Sequence, residues 1–272
     1  MPCLLSAGIM GAAGTPYDDA AFVARYARAR PRPPRDLLSL LIQLCRRDPP
    51  KLVVDLGCGT GLSTVAWRRH ASHVIGIDSN PLMLERAPHA ANIVYRTASA
   101  DSTGVVSGSA DIVTCSQSFH WMKPRSTIRE IARVLRPGGV FAAYDYALPP
   151  LIDPRVDEAF AEVLRWSGLP TLPVEKAGHV ERLSRSGDFE WVRNIPLHSV
   201  EFGDSKRVID LALSIAHVAA RVQGTHDRGR AWTQFRDIVD RTMGRRRWRF
   251  WWTYDVVVAL RASRGGTRRK GP

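Results

Sequence analysis

The 272-residue sequence predicts a doubly wound α/β domain built on a mostly parallel sheet. Two observations carry this. Short apolar runs recur through residues 51–146, with helical spacing in several of the intervals, and buried parallel strands need crossover helices of that kind to cover them. The last run, Trp248–Leu260, alternates in strand fashion instead and reads as an antiparallel strand closing a sheet of seven.

Taken in order, Tyr17–Arg30 and Asp36–Cys45 read as helices split by Pro31–Pro34. Lys51–Leu56 is a β-branched run stopping at glycines, the mark of a buried strand. A helix over Gly61–His70 follows, then a strand at His73–Ile77 and a helix at Pro81–Ala87 opened by proline. Strands at Ile93–Arg96 and Asp111–Ser116 precede an amphipathic helix at Arg125–Leu135. That helix is closed by Arg136-Pro137-Gly138-Gly139 before a fifth strand at Val140–Tyr146. Asp153–Trp166 reads as helix, Glu190–Phe202 as strand, and Ser205–Val222 and Ala231–Met243 as helices. The organisation expected is one domain over 15–262. It comprises a helical lid (15–46), a core (50–146), cap helices (about 204–245) and the closing strand (248–260). A disordered leader (1–14) and a basic disordered tail (263–272) flank it.

Composition narrows the function classes. Hydrophobic residues make up 44% and charged residues 24%, which is ordinary for a globular chain, and no apolar run is long enough to span a bilayer. The apolar segment Cys3–Gly14 lacks the positive start of a signal peptide, so it reads as a loose leader, with Met10 an alternative start. Cys3, Cys45, Cys58 and Cys115 are far apart and match no metal-ligand spacing, so no metal is expected and a reducing cytoplasm fits. The net charge of +13 is spread along the chain and thickens only at Arg245–Arg249 and after Arg261. That distribution suits a solvated face and a basic tail better than a nucleic-acid groove.

The segment Val53-Val54-Asp55-Leu56-Gly57-Cys58-Gly59-Thr60-Gly61 carries the functional argument. A strand running into G-x-G-x-G makes a turn without side chains, against which a bulky ligand can sit at the carboxyl end of the strands. A dinucleotide site wants G-x-G-x-x-G, and Leu62 stands where its third glycine belongs. Asp55 before the turn would repel a pyrophosphate and is placed to meet a cationic group, directly or through water. Asp78, at the end of the second strand, can accept hydrogen bonds from both hydroxyls of a ribose. Asp101, after the third strand, either receives an adenine amino group or faces solvent.

With these residues in place, the sequence resembles the class I S-adenosylmethionine (SAM)-dependent methyltransferases. The nearest branch is the small-molecule enzymes of the methyltransferase type 11 and trans-aconitate kind. That family's D-L-G-C-G-T-G reads here as Asp55 to Gly61, its strand-end acid as Asp78 and its M-L as Met83-Leu84. Its A-E pair reads as Ala100-Asp101, its H-W as His120-Trp121, and its R-V-L-[KR]-P-G-G as Arg133 to Gly139. Tyr26 with Arg30-Pro31 matches the N-terminal Y-x-x-x-R-P, although Pro33 stands where the family carries an aromatic.

The resemblance implies a Rossmann-like fold and SAM as cofactor, released as S-adenosylhomocysteine. Its binding set would be Asp55, Gly57, Cys58, Gly59, Gly61, Asp78, Ser79, Met83, Ala100, Asp101 and Ser116, with Arg30 pairing the SAM carboxylate. It also implies a small-molecule acceptor, methylated at oxygen, nitrogen or a carboxylate, of the kind met in natural-product biosynthesis. His120 is the candidate general base, the alternative being that His120 and Trp121 only shape the pocket. Tyr146 is a further catalytic candidate, and Trp121, Tyr144 and Ser214 are candidate substrate contacts, with His217 on the same helix as Ser214. Strand alternation aims Tyr144 and Tyr146 one way and Asp145 the other. Two rival functions are a nucleic-acid methyltransferase and a SAM-binding module without transfer. Against the first, residues 116–121 read S-Q-S-F-H-W rather than [DN]-P-P-[YF].

Overall fold

The computed structural model describes residues 16–168, 178–224 and 229–263. The expected leader, with Cys3 and Met10, and all but the first residue of the expected tail lie outside these ranges. The described residues divide into two compact units. The sheet unit takes those within 32–147, 173–199 and 252–272, and the helical unit takes those within 1–31, 148–172 and 200–251.

The strands are β1 (Leu52–Leu56), β2 (His73–Asp78), β3 (Ile93–Thr97), β4 (Ala110–Ser116), β5 (Leu135–Tyr146), β6 (Phe189–Gly203) and β7 (Trp248–Arg261). Their order is β3-β2-β1-β4-β5-β7-β6, as a Rossmann-like, doubly wound sheet requires. β1 lies between two parallel partners, with Val53 opposite Val74 on β2 and Ile112 on β4. β7 runs antiparallel to β5, pairing Tyr146 with Tyr254. The centre is dry on both faces: Val53, Val54, Ile112, Val113 and Phe141 are fully buried, which explains why these strands read as unbroken apolar runs.

Helices α1 (Ala20–Ala29) and α2 (Arg35–Cys45) form where two were expected at the N-terminus, and the expected lid divides between the units. α2 stays with the sheet: the Cys45 carbonyl accepts from Arg136 at 2.5 Å. Arg136 and Arg47 converge on Asp111, which also accepts from the Lys51 and Leu52 amides. Burial pushes the Asp111 carboxyl up, but these donors more than offset it and hold the group below the ordinary range.

Within residues 50–146 three elements differ from expectation. The helix expected at Gly61–His70 is a 3₁₀ turn over Thr64–Arg69, because Ser63 and Thr64 turn their hydroxyls inward to Asp55. Between β2 and β3 only α3 (Pro81–Leu84) forms. After α4 (Pro124–Val134), the expected Arg-Pro-Gly-Gly turn is absorbed into β5, with an irregular register between Ala110 and Ile112.

Glu130 ties α4 to the preceding loop: its carboxylate accepts from the Thr103 amide (2.8 Å), the Thr103 hydroxyl (2.6 Å) and Arg133 (2.7 Å). Arg133 first, and Thr103 beyond the cost of burial, bring its pKa down from 4.5 to about 2. A depressed folded-state pKa contributes stability that is present above the unfolded value and lost as pH falls through the folded one. Glu130→Gln should therefore cost about 2–3 kcal/mol at neutral pH, discounted because Arg133 is partly exposed, and nothing near pH 2. Urea unfolding of both proteins across that range measures it, and a pH-independent difference would contradict the assignment.

The remaining helices are α5 (Pro154–Trp166), α6 (Gly178–Ser186), α7 (Ser205–Leu213), α8 (Ala216–Gly224) and α9 (Arg230–Met243). α6 was not anticipated. The single helix expected over Ser205–Val222 breaks at Ser214, whose hydroxyl turns back onto the Leu211 carbonyl at 2.6 Å. In the helical unit α5 packs on α9 with Phe160 and Phe235 edge to face at 5.3 Å. No described helix is long and apolar enough to cross a membrane.

Candidate active site

Within the sheet unit, β1, β2, β4 and β5 run parallel, so their carboxyl ends lie along one edge. The glycine turn follows β1 there. Gly57 (φ +63°) and Gly59 (φ +53°) hold left-handed backbone that other residues rarely adopt.

The two glycines serve different ends. A Cβ on Gly57 would stand 2.5 Å from the Ser118 Cβ, so this position is filled by the protein itself. On Gly59 a Cβ would meet only the flexible tip of Met83, at 3.0 Å. Of the two, Gly59 is the position without fixed protein packed against its α-carbon. Cys58 contributes backbone alone: its side chain is buried, and burial pushes the thiol well up.

Asp55 is fully buried and accepts from the hydroxyls of Ser63 (2.6 Å), Thr64 (2.7 Å) and Thr114 (2.7 Å). The expectation that it reaches a cationic group directly is corrected here: the carboxylate faces inward and braces the loop. Burial raises its carboxyl above the ordinary range against the pull of those hydroxyls. Asp78, half-buried at the end of β2, accepts from the amides of Gly59 (2.8 Å) and Asn80 (2.9 Å). Each carboxylate oxygen keeps a further lone pair. Ser79 beside it is exposed, Met83 is buried under Gly59, and Ala100 and Ser116 are half-buried. Asp101 accepts from Ser99, and from Ser126 at 3.1 Å; these two bonds hold its carboxyl below the usual range.

After β4, Gln117 takes a left-handed backbone (φ +53°) and donates its side-chain amide to the Tyr146 carbonyl at 3.0 Å. Ser118 donates to the Leu56 carbonyl at 2.9 Å. These contacts seat a 3₁₀ turn over Phe119–Trp121 beside the glycine loop. Neither residue was marked by the sequence, since both act through neighbours some sixty or thirty positions away. Trp121 is 64% exposed, with its ring 5.1 Å from that of His120. His120 Nδ1 stands 3.6 Å from the Asp145 carboxylate.

The remaining candidates are placed elsewhere. Tyr144 is buried, and burial pushes its phenol well up. Tyr146 is packed edge-on against Trp252 (5.2 Å) and Tyr254 (5.9 Å). Both tyrosines are core residues here, which corrects their assignment to substrate and chemistry. Ser214 is fully buried in the helical unit, where its hydroxyl and carbonyl each accept from Arg30 at 2.8 Å; it orders that arginine rather than offering a surface to substrate. His217 is half-buried.

A cleft of about 500 Å³ opens in the helical unit. Its Arg25 and Lys206 pair with Asp210, at 3.4 and 2.9 Å. Among the described residues no group of three or more His, Cys, Asp or Glu could hold a metal ion.

Residues 54–143 match the family model described as a methyltransferase domain. This segment is similar to methyltransferase domains. An uncharacterized methyltransferase of Mycobacterium bovis is 35% identical over 118 residues, 43% of this chain and 47% of that protein. A probable S-adenosylmethionine-dependent methyltransferase of Saccharomyces cerevisiae is 29% identical over 138 residues, 48% of this chain and 47% of its own length. The matches thus span about half the length of these relatives. Among solved structures, one from Anaeromyxobacter dehalogenans described as a type II methyltransferase superposes with a TM-score of 0.71 at 23% identity. It covers 86% of this chain and 99% of the other, and shows the shared fold. The matched segment contains the glycine turn, Asp78, Asp101 and His120 together.

Proposed function

We propose that the chain is a SAM-dependent methyltransferase acting on a small molecule, at an oxygen, nitrogen or carboxylate. The observation that supports this best is the half-buried Asp78 carboxylate beside the open face of Gly59. Acceptor lone pairs for a ribose and a backbone free of side chains stand together there, which suits an adenosine-bearing cofactor. The backbone of Gly57–Gly61, Asp78, Ser79 and Met83 would hold that cofactor, and Asp101 would receive the adenine amino group. Arg30 as a partner of its carboxylate rests on the sequence resemblance.

Bound SAM supplies a methyl already activated on a sulfonium, so the protein's task is to orient the acceptor, exclude water and manage its proton. Trp121 offers an exposed aromatic surface for the acceptor, and His120 a base next to it. An acceptor from natural-product chemistry fits the family branch that the motifs resemble.

Calorimetric titration with SAM tests the reading. The wild-type protein should bind it, and Asp78→Ala should bind at least tenfold more weakly, a loss of about 1.4 kcal/mol. Wild-type affinity in that variant would show the ribose assignment wrong, and no binding by either protein would remove the cofactor. The rival nucleic-acid reading draws on the net charge of +13. It expects salt-sensitive RNA retention with methyl labelling of the RNA.

A further inference from the structure

We infer that Asp145 is a positioning residue for His120, fixing its ring so that Nε2 is the hydrogen-free nitrogen, and that the acceptor's attacking atom carries a proton. The part concerning the acceptor rests on the methyltransferase reading above; the part concerning the imidazole does not.

Asp145 lies near the carboxyl end of β5, only 5% exposed, between two tyrosines that point to the other face. Withdrawing a carboxylate from water costs several kcal/mol unless charge or hydrogen bonds compensate. The structure places an imidazole beside it, with His120 Nδ1 3.6 Å from Oδ1, within ion-pair range and just beyond hydrogen-bond length. The His120 turn is pinned on both sides, by Ser118 on the Leu56 carbonyl and by Gln117 on the Tyr146 carbonyl. The exposed Trp121 ring covers one side of the imidazole at 5.1 Å.

An ionised carboxylate only accepts hydrogen bonds, so the nitrogen facing it must carry the hydrogen. Nδ1 faces Asp145. The lone pair is therefore left on Nε2. Two further ionisable groups stand near this carboxylate. Asp255 is its cross-strand partner on β7 and is exposed, and Cys115 on β4 is a thiol that burial keeps protonated. Neither supplies a positive charge, whereas the imidazole does when it takes a proton.

A histidine held this way has a use only if the acceptor sheds a proton, as a hydroxyl, a carboxylic acid or an ammonium does. His120 Nε2 takes that proton while the acceptor's lone pair forms its bond to the methyl carbon. The carbon–sulfur pair stays with the sulfur of the sulfonium donor, and the proton then passes from Nε2 to bulk water. Carbon nucleophiles without an acidic hydrogen and tertiary amines fall outside this class.

Long-range proton–nitrogen correlation spectra of ¹⁵N-labelled protein test the inference without any acceptor. They would be recorded at about pH 9, well above the ordinary imidazole value of about 6.5, with the His120 signals identified by their loss in His120→Gln. In the native protein Nδ1 should be the hydrogen-bearing nitrogen and Nε2 the bare one, and Asp145→Ala should move the hydrogen to Nε2. Native protein with its hydrogen on Nε2, or a tautomer unchanged in Asp145→Ala, would overturn it. The native spectrum alone can decide, so the inference stays exposed even if that variant fails to fold. The SAM titrations judge the cofactor and these spectra judge Asp145, so the two can fail separately.

Discussion

Replacing Asp55 by alanine should destabilise the protein by about 4 kcal/mol. The carboxylate is the common acceptor of three hydroxyls from two places: Ser63 and Thr64 after the glycine turn, and Thr114 on β4. All three are buried, so truncation leaves three donors without their acceptor and a cavity beside them. Asp55→Asn keeps one acceptor oxygen, and the hydroxyls can rotate to receive its amide, so it should cost about 1–2 kcal/mol. Urea denaturation followed by tryptophan fluorescence gives both numbers. A loss under 1 kcal/mol in the alanine variant would mean that Asp55 does not brace the loop.

The same residue sets a pH slope of its own. Burial raises the folded-state pKa of Asp55, so the native state holds its proton over a range where the unfolded chain has lost it. Stability from this group is complete below the ordinary carboxylate value of about 3.9 and declines as pH rises through the elevated one. Glu130 and Asp111 act in the opposite sense, their contributions fading as pH falls through their depressed values. The two effects occupy adjoining windows, so subtracting the pH profile of Asp55→Asn from the native one should isolate a decline above about pH 4.

The strands were legible in the sequence because burial on both faces leaves no alternative reading for runs such as Leu52–Leu56 and Ala110–Ser116. What failed was governed by side chains meeting across long separations. Ser63 and Thr64 look like ordinary members of a helix until Asp55 draws them inward. The α6 segment is polar and short, with Leu183 its one fully buried aliphatic residue, so its periodicity was invisible. Arg136–Gly139 has the composition of a turn, yet Leu135 and Val140 both pair with β4 and the strand runs through it. At the site, the motif marks Gly59 and Asp78, which the structure joins through the Gly59 amide. It could not reveal which glycine is packed by protein, or that Asp145 rather than its flanking tyrosines faces His120.

That difference between the glycines yields the second large effect. Gly57→Ala should lose about 3–4 kcal/mol of stability, from about 1–2 for an alanine at φ +63° and about 2 for the collision with Ser118. Ser118 cannot withdraw freely, because its hydroxyl holds the Leu56 carbonyl and its backbone opens the turn carrying His120 and Trp121. Gly59→Ala carries a similar conformational cost at φ +53° but meets only the tip of Met83, which can swing aside. It should lose about 1–2 kcal/mol and still fold. Its penalty should fall on the ligand instead: a methyl on the open face would stand where the cofactor approaches, and SAM affinity should drop more than tenfold. Unfolding curves and SAM titrations on the two variants separate these roles. Equal stability losses would deny that Ser118 packs Gly57, and native SAM affinity in Gly59→Ala would move the cofactor away from the middle of the turn.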